Sequence, residues 1–462
     1  MPEVDAVEHT LVIRGGHVID QHGVRRADVV VSGGVVRHVG ERVEVPLSAT
    51  VLDAGGCLVT PGLVDLHTHL RQPGREESET VESGARAAAL GGFTAVVAMP
   101  NTEPAVDSAA TALDILALGR PAPAEVAVAG AITVGRAGER LAPMAELAAL
   151  GVVLFTDDGS GVQDGALMRR ALDYARGLGV VLGQHCEDEC LAAGGAMHEG
   201  AWSSRLGIPG VPSAAEEAMV ARDLALVRLT GARLHLLHLS TAGSVELVRR
   251  AKGEGLPVTA EAAPHHFSLT DESVAGFDPV FKVNPPLRSD GDVAAVKQGI
   301  GEGIFDAIAT DHAPHAPETK ELPFDQAPPG MLGLETALAL AFTELHGEPG
   351  EGWPGGDPAP EPVRRLAAER IFALLSWQPA AIAGLGPHDV RLGGHSAQGG
   401  PVEPGGTANL CVFDPRAHWT VDATALASRS RNTPYAGRRL TGRVRHTVLR
   451  GEAVVVDGVA QR

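Results

Sequence analysis

The sequence predicts an α/β protein, a (β/α)8 barrel of TIM type joined to a small β-sandwich built from both chain ends. Three observations predict it. Eight short apolar runs recur through the middle of the 462-residue chain. Stretches with apolar residues at helical spacing lie between most of them, and the two ends resemble each other. The expected divisions are residues 1–57 for the first part of the sandwich, 58–390 for the barrel and 391–462 for the rest of the sandwich.

Near the N-terminus, His9-Thr10-Leu11-Val12-Ile13-Arg14-Gly15-Gly16-His17-Val18-Ile19-Asp20 is echoed by His446-Thr447-Val448-Leu449-Arg450-Gly451-Glu452-Ala453-Val454-Val455-Val456-Asp457. Each reads as two short strands around a Gly-containing turn, the pattern of a hairpin. Further strand-like runs occupy 27–31, 35–39 and 408–413. The barrel runs are 62–66, 93–99, 126–131, 152–155, 180–183, 234–239, 258–262 and 304–310. They are mostly apolar, as parallel strands covered on both faces are. Segments 79–90, 166–178, 214–229 and 244–252 carry the helical period. No G-x-G-x-x-G follows the first run, which argues against a doubly wound open sheet. The Pro/Gly-rich stretch 347–362 reads as a surface loop.

Composition narrows the function. With 44% hydrophobic and 21% charged residues, a sizeable core can form and global disorder is excluded. No apolar run is long enough to span a bilayer, and Met1-Pro2-Glu3-Val4-Asp5 is acidic, unlike a signal peptide. Four cysteines make no disulfide framework in so long a chain, so a soluble, cytoplasmic protein is expected. A net charge of −19 argues against nucleic acid and anionic membranes as partners. Any anionic substrate must then be held by a metal or a local Arg. Only four lysines occur (Lys252, Lys282, Lys297 and Lys320), none in the first 251 positions.

The chemistry gathers at the ends of the runs. The first closes on Asp65-Leu66-His67-Thr68-His69-Leu70-Arg71, and strand alternation turns Asp65, His67, His69 and Arg71 the same way. His-x-His by itself is a weak signal. The fourth run, however, ends in Asp157-Asp158, the fifth in His185, the sixth in His238 and the eighth in Asp311. Six nitrogen and oxygen donors at the C-terminal strand ends suit Zn²⁺ or a similar transition metal. Other candidates read as structural: His312 within its loop, His265 and His266 without a second cluster, His235 on the far face of its strand from His238, and Cys186 turned away from His185. Glu187 and Asp188 read as solvated or supporting.

Two long motifs carry a family resemblance: Asp65-Leu66-His67-Thr68-His69-Leu70-Arg71-Gln72-Pro73-Gly74, and Ala309-Thr310-Asp311-His312-Ala313-Pro314-His315 followed by Lys320. Met99-Pro100-Asn101-Thr102, Val283-Asn284-Pro285-Pro286-Leu287-Arg288 and Ala327-Pro328-Pro329-Gly330 support them. Over nearly its whole length the chain resembles the amidohydrolase superfamily of metal-dependent cyclic amidases, and within it the type I dihydroorotases. The resemblance implies two zinc ions per chain: His67, His69 and Asp311 on one, His185 and His238 on the other. Many relatives bridge the pair with a carboxylated lysine from the fourth strand. Here that strand has none, and Asp158 stands in its place, with Asp157 the alternative.

The implied reaction is the interconversion of N-carbamoyl-L-aspartate and L-dihydroorotate in pyrimidine biosynthesis. A zinc-held hydroxide would attack the ring carbonyl, with Asp311 as the catalytic proton shuttle. The resemblance assigns the substrate to Arg71, Asn101, Asn284 and His315, with backbone from Pro329 and Gly330, and allows for homo-oligomers and for aspartate transcarbamoylase as a partner. Two competing functions are another cyclic amidase (an allantoinase, or a dihydropyrimidinase of the hydantoinase type) and an inactive scaffold for the transcarbamoylase. The missing lysine together with Arg71 and Asn101 opposes the first. The six filled donor positions oppose the second.

Overall fold

The computed structural model describes residues 10–347, 366–388 and 394–462. Eight parallel strands follow one another around a barrel: Leu63–Thr68, Phe93–Ala98, Glu125–Gly130, Leu154–Thr156, Val181–Gln184, Leu234–Leu236, Val258–Ala262 and Ala307–Ile308. They coincide with the eight apolar runs. The sixth and eighth are shorter than their runs, and their ladders end before His238 and Asp311. Closure between first and last comes from a parallel bridge, Thr68 to His312, and from Asp65, whose carboxylate accepts the Thr310 N–H at 2.8 Å and its hydroxyl at 2.6 Å.

The third strand shows why these runs read as unbroken. Val126 and Val128 pack in one cluster with Ala112 and Ile115 of the helix Ala109–Gly119, while Ala127 and Ala129 join a second cluster. The helices are built as their sequences direct. Gly165–Leu178 buries Leu167, Met168, Ala171, Leu172 and Ala175 on one stripe. Asp164 caps its start by accepting the Leu167 N–H at 2.7 Å, and Gly179, at φ 67°, ends it.

The chain ends form the sandwich. A four-stranded sheet (Val35–Gly40, Asp28–Ser32, Thr10–Arg14, Thr50–Asp53) encloses a core with a seven-stranded one. The latter runs Val459–Ala460, Glu452–Val456, Arg439–Leu449, Leu410–Thr420, Leu58–Pro61, His17–Asp20, Gly23–Arg26. Leu11, Ile13, Val29 and Val31 meet Val59, Leu410, Val412 and Val448 between them. The two echoed segments differ here. Arg439–Leu449 and Glu452–Val456 do form a hairpin. Thr10–Arg14 and His17–Asp20 do not: the first pairs with Asp28–Ser32 and Thr50–Asp53, the second with Gly23–Arg26 and Leu58–Pro61. The cause lies at Gly15-Gly16. Gly15 has φ 81° and donates its N–H to Asp28, and a Cβ on Gly16 would lie 2.6 Å from Val59. The chain therefore passes tightly from one sheet to the other instead of folding back.

Most of the predicted 347–362 loop, and the expected boundary at 390/391, lie outside the described residues. No described helix is long and apolar enough to cross a membrane.

Candidate active site

The first strand carries Asp65 and His67 inside the barrel, and its continuation adds His69 and Arg71. Beyond the strand ends, alternation no longer governs direction. Arg71, His238 and Asp311 take left-handed backbone, with φ 61°, 30° and 48°. Such conformations cost of the order of 1–3 kcal/mol each and persist where surrounding structure enforces them. They turn side chains from the ends of the first, sixth and eighth strands into one cavity. His238 thus reaches the interior although His235, three residues earlier, also faces inward.

All six expected donors converge, fully or nearly fully buried. Asp158 lies at the centre: Oδ1 is 3.3 Å from His67 Nε2, 3.5 Å from His185 Nδ1 and 3.4 Å from His238 Nε2, and Oδ2 is 3.5 Å from His69 Nε2. Asp311 Oδ1 faces His69 at 3.3 Å and His67 at 3.6 Å. His185 Nδ1 and His238 Nε2 are 3.0 Å apart. Two triads, His67–Asp158–His238 and His67–His69–Asp311, are compact enough to hold a metal ion. Asp157 is not part of this. It accepts the N–H groups of Ile132 and Thr133, and so ties down the loop after the third strand.

The donor set fits a cation. His67 Nε2 is buried without a hydrogen-bond partner, while its Nδ1–H donates to Glu261 at 2.8 Å. Burial alone would keep His67 neutral, yet Asp158 and Asp311 hold it well above the ordinary imidazole value. Burial likewise opposes the charge on Asp158 and Asp311, and the facing imidazoles overcome it, holding both carboxyls below the usual range. The pocket demands positive charge.

Above the donors opens a cavity of about 220 Å³, lined by His69, Arg71, Asn101, Asn284, His315 and Pro328 to Gly330 among others. Arg71 is buried, with Nε donating to the Pro314 carbonyl at 3.0 Å. Burial lowers its pKa to about 10, so it stays charged at neutral pH. Asn101 Oδ1 accepts from His69 Nδ1 at 2.8 Å, which leaves its NH₂ group for a ligand. His315 Nε2–H donates to the Pro329 carbonyl at 2.8 Å, and the N–H of Gly330 donates to Lys282 O. Burial beside Arg71 and Lys320 pushes His315 down to about 2, so it is neutral.

Several residues near the site escaped the sequence reading. His235 does not pack outward: it is fully buried and bonded to Glu261, which also holds His67. A lone acid inside the apolar run 258–262 was the signal for Glu261. His265, expected to be structural, has Nε2 3.8 Å from Asp311 Oδ2. His312 does serve structure, accepting the Gly333 N–H and facing Glu79. Cys186 is buried on the Gln184 carbonyl, Asp188 caps the short helix Glu189–Ala192, and Arg75 stands at the cavity mouth.

A closed parallel barrel with imidazoles and carboxylates gathered at its C-terminal rim defines a hydrolase of the metal-dependent cyclic amidase class. A family model described as Dihydro-orotase-like matches residues 56–244. Dihydroorotase from Pelotomaculum thermopropionicum is 46% identical over 97% of this chain and 99% of that protein. The dihydroorotases of Anaeromyxobacter dehalogenans (strain 2CP-C) and Streptomyces coelicolor are 48% and 44% identical over 98% and 97% of the chain, covering 99% and 98% of their own lengths. The chain belongs to the dihydroorotase family. Among solved structures, the L-hydantoinase (dihydropyrimidinase) of Arthrobacter aurescens superposes with a TM-score of 0.82 at 25% identity, covering 98% of this chain and 97% of that one.

Proposed function

We propose that the chain interconverts N-carbamoyl-L-aspartate and L-dihydroorotate, using two zinc ions. His67, His69 and Asp311 would hold one, His185 and His238 the other, with Asp158 between them. The observation that carries this reading is Arg71: a buried, charged guanidinium facing a cavity floored by the six donors. A cyclic amide with a carboxylate needs both features, and an uncharged ring needs only the second.

Bound metal supplies an acidified water and a Lewis acid for the ring carbonyl. The chain's own residues do the rest. Arg71 meets the substrate carboxylate with paired hydrogen bonds, joined by the Asn101 NH₂. Asn284 and the backbone of Pro329 and Gly330 border the ring. Asp311, ionised and beside His69, takes the proton of the attacking water. As the ring C–N bond breaks, Asp311 returns that proton to the leaving nitrogen. Closure of the ring reverses these transfers. His315, neutral and bonded to Pro329, keeps the loop in place over the ligand.

The four unpaired cysteines suit a reducing cytoplasm. Pairing with aspartate transcarbamoylase and self-association belong to this reading through family resemblance, and the size of the purified chain with and without that enzyme measures both. The activity is tested by incubating metal-loaded protein with L-dihydroorotate, dihydrouracil, hydantoin and allantoin while counting zinc per chain. Turnover of dihydroorotate well above the others, with two zinc ions, is expected. Preference for an uncharged ring would move the chain to the hydantoinase reading.

A further inference from the structure

Beneath the donor cluster, the barrel interior holds a carboxylate that the steps above do not use. Glu261, in the seventh strand Val258–Ala262, is fully buried. Its oxygens are divided between two histidines. Oε1 accepts from His67 Nδ1 at 2.8 Å, and Oε2 from His235 Nε2 at 2.9 Å. Oε1 also accepts the backbone N–H of His238 at 3.3 Å. His235 Nδ1 lies 2.8 Å from the Thr259 hydroxyl.

A carboxylate only accepts, and a neutral imidazole donates from one nitrogen alone. The pattern therefore places a proton of His67 on Nδ1, against the carboxylate, so that a cation displacing the other proton would meet the lone pair of Nε2, the buried nitrogen with no hydrogen-bond partner that faces Asp158 and Asp311. His235 carries its proton on Nε2 and accepts from Thr259. A buried charge is tolerated only where it is paired, and the partners of this one are His235, a donor of the cluster and the backbone of a second donor.

We propose that Glu261 is a positioning residue of the metal centre. It holds His67 in the tautomer and ring orientation that present Nε2 to the cation, and His235 holds Glu261 in turn. The inference rests on the reading of the six-residue cluster as a metal site.

The test uses full-length protein, stripped of metal and titrated with Zn²⁺ against a chromophoric chelator, with Co²⁺ spectra and the Tm of the metal-free form recorded in parallel. Glu261→Leu should weaken zinc binding about 10–100-fold, the usual loss when the partner of a metal-bound histidine is removed. Glu261→Gln can turn its amide oxygen to His67 and its NH₂ to the other tautomer of His235. It should bind zinc within about threefold of the parent and keep its Co²⁺ spectrum, since the bond to the ligand survives. Should Glu261→Leu not fold, His235→Leu carries the test: it frees one side of the carboxylate and should weaken zinc by more than about threefold. A lowered Tm with unchanged zinc affinity would mean that Glu261 merely stabilises the barrel, and the proposal falls. If the parent itself binds no more zinc than His67→Ala, the metal reading fails instead.

Discussion

At the scale of single residues, the proposed function turns on Arg71. The chain has a net charge of −19, so its overall field does not draw in an anion. The attraction must be local, and in the proposed function the buried Arg71 supplies it. A hydrogen bond to a charged group contributes roughly 1.5–3 kcal/mol, and an uncompensated buried partner costs more. Arg71→Met should therefore lower kcat/KM for dihydroorotate by at least about tenfold, 1.4 kcal/mol being about one decade. Any turnover of dihydrouracil should fall much less, since that ring has no carboxylate. Equal losses on both substrates in steady-state assays would show Arg71 organising the site instead of reading charge. His67 was legible at this scale because a strand fixes alternation, whereas His69 and Arg71 lie past the strand end and reach the same cavity through the loop backbone. The inward turn of His235 was not, because it depends on Glu261 from the neighbouring strand.

At the scale of elements, the loops after the strands place the proposed ligand contacts. Lys320 Nζ donates to the carbonyls of Pro279 and Pro328 at 3.0 and 2.8 Å, joining the segment before Asn284 to the one that carries Pro329 and Gly330. Gly330 has φ 140°, and a Cβ there would lie 2.7 Å from His315 Nε2 and 2.8 Å from the Cβ of Ala313. Neither neighbour can yield without moving the wall of the cavity. Gly330→Ala should raise KM for dihydroorotate several-fold while zinc content and kcat change little. An unchanged KM would show that the loop adapts. Asn432, far along the chain, supports the same wall by donating to the carbonyls of Ala313 and Gly330. Nothing in the local sequence announces that role.

At the scale of the whole molecule, the C-terminal chain is tied to the barrel flank through the half-buried Glu335. Glu335 accepts the Ala427 N–H at 2.8 Å, and burial pushes its carboxyl up to about 7 from an ordinary 4.5. The sign follows from linkage. A carboxyl whose folded pKa is raised contributes stability that is fully present below about pH 4.5. That contribution is lost as pH rises to about 7, because the unfolded chain ionises first. Glu335→Gln keeps the acceptor and removes the ionisation. It should stabilise the protein by of the order of 1–3 kcal/mol at pH 8 and hardly at all near pH 4.5. Denaturant unfolding at the two pH values measures this, and a gain of equal size at both would contradict it.

The sequence by itself determined the eight barrel strands, the outer helices and the positions of five of the six donors. Each of these rests on short-range periodicity: two residues for a strand, about three and a half for a helix, and polar residues appearing where an apolar run stops. The same reasoning placed the chain ends in a sandwich, but it paired Thr10–Arg14 with His17–Asp20 when the fold sends them to opposite sheets. Strand partnership is a long-range property, and Gly15-Gly16 serves a crossing as readily as a hairpin. Only the tertiary structure decided which face His235 takes, that Glu261 lies under His67, and that Asp158 rather than Asp157 enters the cluster. Adjacent residues on one strand end are equivalent to a sequence pattern. What separates them is whether the neighbouring elements offer backbone N–H groups, as Ile132 and Thr133 do to Asp157, or imidazoles, as three strand ends do to Asp158.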